Sequence, residues 1–232
     1  MTLRPLVLAG AGGFARETAE LVAALGPDGG FDLLGFLDDD PLMVGADVGG
    51  LPVLGPLDWV HDHPDVAVVL CAGNPGNPGV RRTIAHRLGL DDDRYATLVH
   101  PAASVASSAS LGPGTVVHAT TVLTADIELG AHVAVMPAVV LTHDDVVSDF
   151  VTIGAGVRVA GGVLVGEAAY LGSGCLIRER VTVGRDSLVG MGAVVTRDIP
   201  PGEVWVGSPA RRLRTFETSG VSDPTTPPTV TA

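Results

Sequence analysis

The chain has 232 residues, 46% of them hydrophobic and only 17% charged, and its formal net charge is −12. All 14 basic residues are arginine. So acidic a chain is a poor partner for nucleic acid or an anionic membrane surface, and aromatic residues at 4% are too few for a base-stacking surface.

Two cysteines, Cys71 and Cys175, make no disulfide framework, and neither has a close-spaced metal-binding companion, so no metal is expected. The apolar start lacks the basic cluster of a signal sequence and runs directly into a helical pattern. It reads as a folded strand. No run is long enough to span a bilayer, and the chain reads as cytoplasmic.

Residues 1–97 alternate strand and helix patterns. "PLVLAG" is a buried strand, followed by a glycine turn and the helix "ARETAELVAALG", closed by Gly26. "FDLLGFLDDD" is a second strand ending in acids. "DVAVVLCAGN" is a third, leading into the helix "GVRRTIAHRLG", and "LDDDRYAT" marks the boundary. This order predicts a small Rossmann-like parallel α/β domain.

Its first turn places Gly10, Gly12, Gly13 and Ala15 between strand and helix, close to G-x-G-x-x-G/A. There the free amides and dipole of a helix N-terminus suit a pyrophosphate, and Asp38 or Asp39 at the end of the second strand suits a ribose hydroxyl. The alternative is a purely structural glycine turn. The motif alone does not separate NAD from a nucleotide sugar, but a domain this short favours the latter. His61 and His63 read as a surface loop.

From Val99 the pattern changes. Every sixth residue through Val195 is Val, Ile or Leu, seventeen in succession without an insertion. Glycine follows the aliphatic at 112, 130, 154, 166, 172, 184 and 190, where it is expected to supply corner conformations that need no Cβ. Small or β-branched residues predominate two positions before. This is a hexapeptide repeat, and it predicts a left-handed parallel β-helix over residues 98–214. Three hexads form one triangular coil, and coils stack at about 4.8 Å. Cys175 falls at a small inward position. Residues 215–232 are rich in Thr and Pro and read as a disordered tail.

Together "GAGGFA", "FLDDD", "AGN" at 72–74, "LVHPAA", "THDDVVSDF", "GAGVRVAGGVLVG" and "VGSPARRL" resemble the sugar O-acyltransferase family over residues 4–214. That family includes sialic-acid O-acetyltransferases and the UDP-amino-sugar N-acetyltransferases of bacillosamine-type pathways. The resemblance implies a homotrimer with acetyl-CoA in the groove between subunits and a nucleotide sugar on the amino-terminal domain. It implies His143 as general base, Asp144 raising its basicity, and Gly161 offering an amide to the acetyl carbonyl. Acetyl-CoA would be met by Thr152, Gly161, Ser173, Met191 and Arg211. The nucleotide sugar would be met by Gly10, Gly12, Gly13, Phe14, Asp38, Asp39, Gly73 and Asn74.

Spacing supports one of these roles independently. Gly161 lies eighteen residues after His143, one full coil, so the two should stack and serve nucleophile and oxyanion together. The plainer reading of His143 is a solvated turn residue. Asp145 reads as a solvated neighbour or an inward turn residue. His118 and His132 fall at other phases of the hexad, with no zinc spacing among them. Arg211 and Arg212 suit a CoA phosphate or a solvated face.

The chain also departs from the family pattern. Phe14 replaces a histidine of the glycine turn, Met136-Pro137 replaces an Asn-Thr pair, Thr152 replaces a histidine that meets acetyl-CoA, and the "AGN" loop is longer. The function implied is acetyl-CoA-dependent acylation of a nucleotide-linked sugar, an amino sugar first. A sialic-acid-type hydroxyl is the alternative acceptor. A non-catalytic β-helix for assembly or nucleotide sensing is the alternative of another class.

Overall fold

A computed structural model describes residues 3–216; the expected disorder of the tail falls, from residue 217 on, outside the described residues. The amino-terminal half contains β1 (Arg4–Ala9), α1 (Gly13–Leu25), β2 (Phe31–Leu37), β3 (Asp47–Val48), β4 (Leu51–Gly55), β5 (Ala67–Leu70) and α2 (Val80–Leu88). The expected strands and helices are present, and the sheet runs β3-β4-β2-β1-β5.

The purely parallel sheet needs correction. β3 pairs antiparallel with β4, because Gly49-Gly50, both at positive φ, close a two-residue hairpin whose twist suits the flanking strands. β1 and β5 are the fully covered strands: Leu6 to Ala9 and Ala67 to Val69 are all 0% exposed. Their unbroken aliphatic runs reflect burial on both faces.

The second half is a left-handed parallel β-helix. Two-residue strands recur every six residues from Leu98–Val99 to Val194–Val195. They stack into three parallel sheets in which each residue pairs with the one eighteen places on, as Leu123 with Leu141 and Leu141 with Val159. The repeated aliphatics point inward and form one continuous core, with Cys175 buried among them. A terminal hairpin, Glu203–Val206 with Arg211–Thr215, caps the prism and buries Trp205.

The role expected for the repeat glycines also needs correction. The left-handed corner residue lies three places after each aliphatic, at every sixth position from Gly114 to Gly192, and most of these residues carry side chains, including Thr120, Asp126, His132 and Asp144. The glycines immediately after the aliphatics have a different cause. A methyl group on Gly166 would lie 2.5 Å from the Arg185 amide nitrogen, and one on Gly172 would lie 2.6 Å from that of Met191. Close approach of the next coil excludes Cβ there, not backbone conformation.

The two halves share a core. Leu98 and Val116, on the outer face of one β-helix sheet, are buried with Leu6, Leu8 and Leu21. Polar pins from α2 add to this contact: Arg82 pairs with Glu167 and Asp186 at 3.0 and 2.9 Å.

Gly10 fixes the turn after β1. Its φ is +121°, and a methyl group there would lie 3.0 Å from the Cys71 carbonyl oxygen. Gly10→Ala should therefore lower unfolding free energy by about 1–3 kcal/mol, read by urea denaturation; an unchanged midpoint would contradict the turn's strain.

Candidate active site

His143 opens the corner after the strand Val140–Leu141. The next residue, Asp144, takes the left-handed conformation (φ 62°), and its carboxylate turns back on the ring, with Oδ2 2.7 Å from His143 Nδ1. A carboxylate only accepts, so Nδ1 carries the proton of the neutral ring and Nε2 keeps its lone pair. Both side chains are open to solvent, at 68% and 66% exposure. The pair has the tautomer of a general base.

Gly161 lies directly against that ring. The Gly162 N–H donates to the His143 carbonyl (2.9 Å), which registers the two corners. A methyl group on Gly161 would lie 2.5 Å from His143 Nε2 and Cε1. Among the described residues the Gly161 N–H has no acceptor. A base and a free amide one strand spacing apart are thus set by backbone stacking alone.

Asp145 is an inward turn residue, the second of the two readings. It is fully buried, its Oδ1 accepts the Val163 N–H at 2.9 Å, and its Oδ2 has no partner. Burial pushes its pKa up to about 6, against the Val163 hydrogen bond and the nearby His143. Thr115 holds the same hexad position at another corner without the cost of a charge: its hydroxyl accepts the Val133 N–H and donates to the Gly130 carbonyl.

The residues expected to meet acetyl-CoA fall on different edges of the prism. Gly161 shares the His143 edge. Ser173 and Met191 stack on a second edge, at the corner that follows Tyr170–Leu171 and Leu188–Val189, and Met191 is 83% exposed. Arg211 lies in the exposed terminal strand. Thr152 is 8% exposed, and its hydroxyl accepts a hydrogen bond from the buried Arg81 (2.9 Å), a contact that joins the two halves.

On the amino-terminal side, the glycine turn and the Gly73–Asn74 loop follow the carboxyl ends of the adjacent strands β1 and β5, the crevice where open α/β sheets bind ligands. Gly12 caps α1 without a side-chain acceptor, leaving the first-turn amides of Gly13 and Phe14 outside the helical ladder. Asp38 holds the turn: its Oδ2 accepts the Ala11 N–H at 3.1 Å. Asn74 Oδ1 accepts the Gly76 N–H.

Asp39, expected beside Asp38 at a ribose, instead bonds Arg87 at 2.6 Å and the Leu57 N–H. Arg87 also bonds Asp58 and holds that carboxyl below its usual range. Phe14 lies 6.0 Å from the His118 ring.

Three other histidines have packing roles. His132 stacks on Phe150 and meets the edge of Tyr95, and burial pulls both His118 and His132 down to about 4, so they are neutral. His63 lies flat on Trp59, ring centroids 3.4 Å apart. Among the described residues no group of three or more His, Cys, Asp or Glu could hold a metal ion, and no helix is long and apolar enough to cross a membrane.

The amino-terminal half matches the family described as PglD N-terminal domain over residues 5–88. The whole architecture is similar to the acetyltransferase domain of PglB from Neisseria gonorrhoeae FA1090, solved in complex with acetyl coenzyme A: 33% identity and a TM-score of 0.81, covering 91% of this chain and 100% of that one. The chain belongs to the hexapeptide-repeat sugar acyltransferase family.

A second member, a mutant of perosamine N-acetyltransferase from Caulobacter crescentus solved with CoA and GDP-perosamine, is 29% identical with a TM-score of 0.79, covering 90% of this chain and 96% of that one. UDP-N-acetylbacillosamine N-acetyltransferase of Bacillus subtilis (strain 168) is 46% identical over 52 residues, a match spanning 22% of this chain and 23% of that enzyme.

Two outcomes follow for this sugar acyltransferase. Gly161→Ala must push the His143 ring aside while the backbone stays put, so acetyl transfer should fall by about 10²-fold or more at an unchanged melting temperature. Activity within twofold of wild type would show that the contact is irrelevant.

The Asp145 carboxyl is protonated more readily folded than unfolded, so it adds nothing unfavourable below pH 3.8 and destabilises the fold increasingly as pH rises to about 6. Asp145→Thr should therefore gain on the order of 1–3 kcal/mol more over wild type at pH 7.5 than at pH 4. Denaturant titrations at the two pH values check this; a gain that shrinks with pH has the wrong sign.

Proposed function

We propose that this protein transfers the acetyl group of acetyl-CoA to the primary amine of a nucleotide-linked amino sugar. The observation that carries the reading is the His143–Asp144 pair stacked against the free amide of Gly161. His143 Nε2 takes the proton of the amine as its nitrogen attacks the thioester carbonyl. The Gly161 N–H donates to the oxygen that gains charge. When the tetrahedral carbon collapses, the C–S bond breaks, and CoA sulfur leaves with the proton returned by His143.

Acetyl-CoA as donor is supported by the Neisseria relative, which was solved with it. An amine as acceptor is supported by relatives named as N-acetyltransferases, one of them with GDP-perosamine bound. The nucleotide would lie at the crevice formed by the Gly10–Phe14 turn, Asp38 and the Gly73–Asn74 loop.

The active assembly in this reading is a homotrimer, working without a metal in the cytoplasm. Two observations support the assembly. Ser173 and Met191 stand on another edge than His143, so one acyl groove can use both sets only when two copies meet. The faces flanking the His143 edge also expose aliphatic side chains, Val146 and Leu164 on one side and Leu176 on the other, as expected of surfaces that another chain covers.

Wild-type protein should release CoA thiol with at least one of a panel of UDP-, dTDP-, GDP- and CMP-linked amino sugars, and should show the mass of three 23.5 kDa chains by light scattering. His143→Ala should lower kcat by roughly 10²–10⁴-fold with little change in KM; Asp144→Asn should do less. A monomer in solution, or a His143→Ala variant that keeps most of its turnover, would refute the shared acyl site.

A further inference from the structure

We propose that Arg81 is a positioning residue for this transfer: its guanidinium locks the loop that begins at Gly73 to the same β-helix coil that carries His143. The side chain is 1% exposed. One guanidinium nitrogen donates to the Ala72 carbonyl, immediately before Gly73, at 2.9 Å. The other donates to the Phe150 and Val151 carbonyls and the Thr152 hydroxyl at 2.8, 3.1 and 2.9 Å. Nε donates to the His132 carbonyl of the preceding coil at 3.1 Å. Phe150 to Thr152 follow His143 by one strand and one corner, without leaving its coil.

A buried cation satisfied only by neutral oxygens is an expensive way to join two surfaces, and well-packed apolar groups commonly serve at least as well. Adhesion is already provided. The shared apolar core joins the halves, and Arg82 adds two ion pairs along the same edge. What Arg81 adds is geometry. A planar fork with several fixed donors sets the offset between the β5 loop and the coil more narrowly than apolar packing does. Acyl transfer depends on such offsets, since displacement of an acceptor by about 1 Å can cost about 10²-fold in rate.

This inference rests on the proposed binding of a nucleotide sugar at the Gly73–Asn74 loop. The test uses the full-length protein with GDP-perosamine and a UDP-linked amino sugar as acceptors, whichever wild type turns over. Three variants are compared: Arg81→Lys, which keeps the charge and loses the fork; Thr152→Val, which removes one acceptor and keeps the shape; and Arg82→Ala, which removes only the two part-exposed ion pairs.

Arg81→Lys should lose at least tenfold in kcat, and Thr152→Val several-fold. Affinities for acetyl-CoA and for the free nucleoside diphosphate should stay within about threefold of wild type, because each ligand's own contacts remain. Arg82→Ala should retain near-wild-type kcat even if it melts earlier. If Arg81→Lys does not fold, Thr152→Val carries the test, with kcat equal to wild type overturning the proposal.

Losses in kcat that merely track loss of melting temperature across the three variants would also overturn it, by reducing Arg81 to an adhesive. Failure of wild type to bind either nucleotide sugar would instead remove the functional reading first, and the positioning role with it. The two failures are thus distinct.

Discussion

Every feature of the β-helix follows from one constraint: residue i must stack on residue i+18, with backbone hydrogen bonds joining them at each strand. The strands are only two residues long, so the corners carry as much of the structure as the sheets. One residue at each corner is left-handed, and the backbone just before it approaches the next coil closely enough to exclude Cβ at several positions. A side chain at one corner is therefore placed by backbone geometry against a known residue one coil away. His143 over Gly161 is that rule applied to chemistry, and the left-handed turn at Asp144 is what bends a carboxylate back onto the ring.

The same constraint sorts polar groups by depth. At the corner surface, His143 and Asp144 stay solvated and pair with each other. At the inward position two residues before each rung, which is mostly aliphatic, Thr115 and Asp145 each accept a neighbouring amide, in different ways. Thr115 can donate as well as accept. Asp145 leaves one oxygen without a partner, and burial raises its pKa toward neutrality. His118 and His132, buried at the contact with the amino-terminal half, are held neutral by desolvation. Of these three histidines only His143 is left in water by its corner.

What was legible in the sequence is what repeats. Seventeen aliphatic rungs, the inward Cys175 and the one-coil spacing of His143 and Gly161 all follow from period, which needs no knowledge of tertiary packing. The glycine column was visible, but its cause was not, because the close approach of the next coil and a positive φ both read as "Gly". The β3–β4 hairpin was signalled by Gly49-Gly50, yet its strands are too short to show alternation.

Contacts outside the stack, between the two halves and within the amino-terminal one, were illegible. Arg81 lies in a helical pattern next to a second arginine, and nothing in the sequence sets the two apart. Thr152 reads as a site residue through the family resemblance, and Asp39 as a ribose ligand by its place after β2. Their partners, Arg81 with Thr152 and Asp39 with Arg87, are far away in sequence and follow no period. Placement tied to the stack could be read in advance; contacts outside the stack could not.

The central claim is that the corner formed by His143 and Gly161 is where the acyl group is transferred. A crystal structure of this protein with acetyl-CoA tests it most directly. The thioester carbonyl oxygen should lie at hydrogen-bond distance, about 3 Å, from the Gly161 amide nitrogen, with His143 Nε2 facing the open side of the carbonyl carbon and Met191 of a neighbouring copy along the cofactor. A thioester bound at another edge, with His143 facing solvent and the Gly161 amide unengaged, would contradict the account.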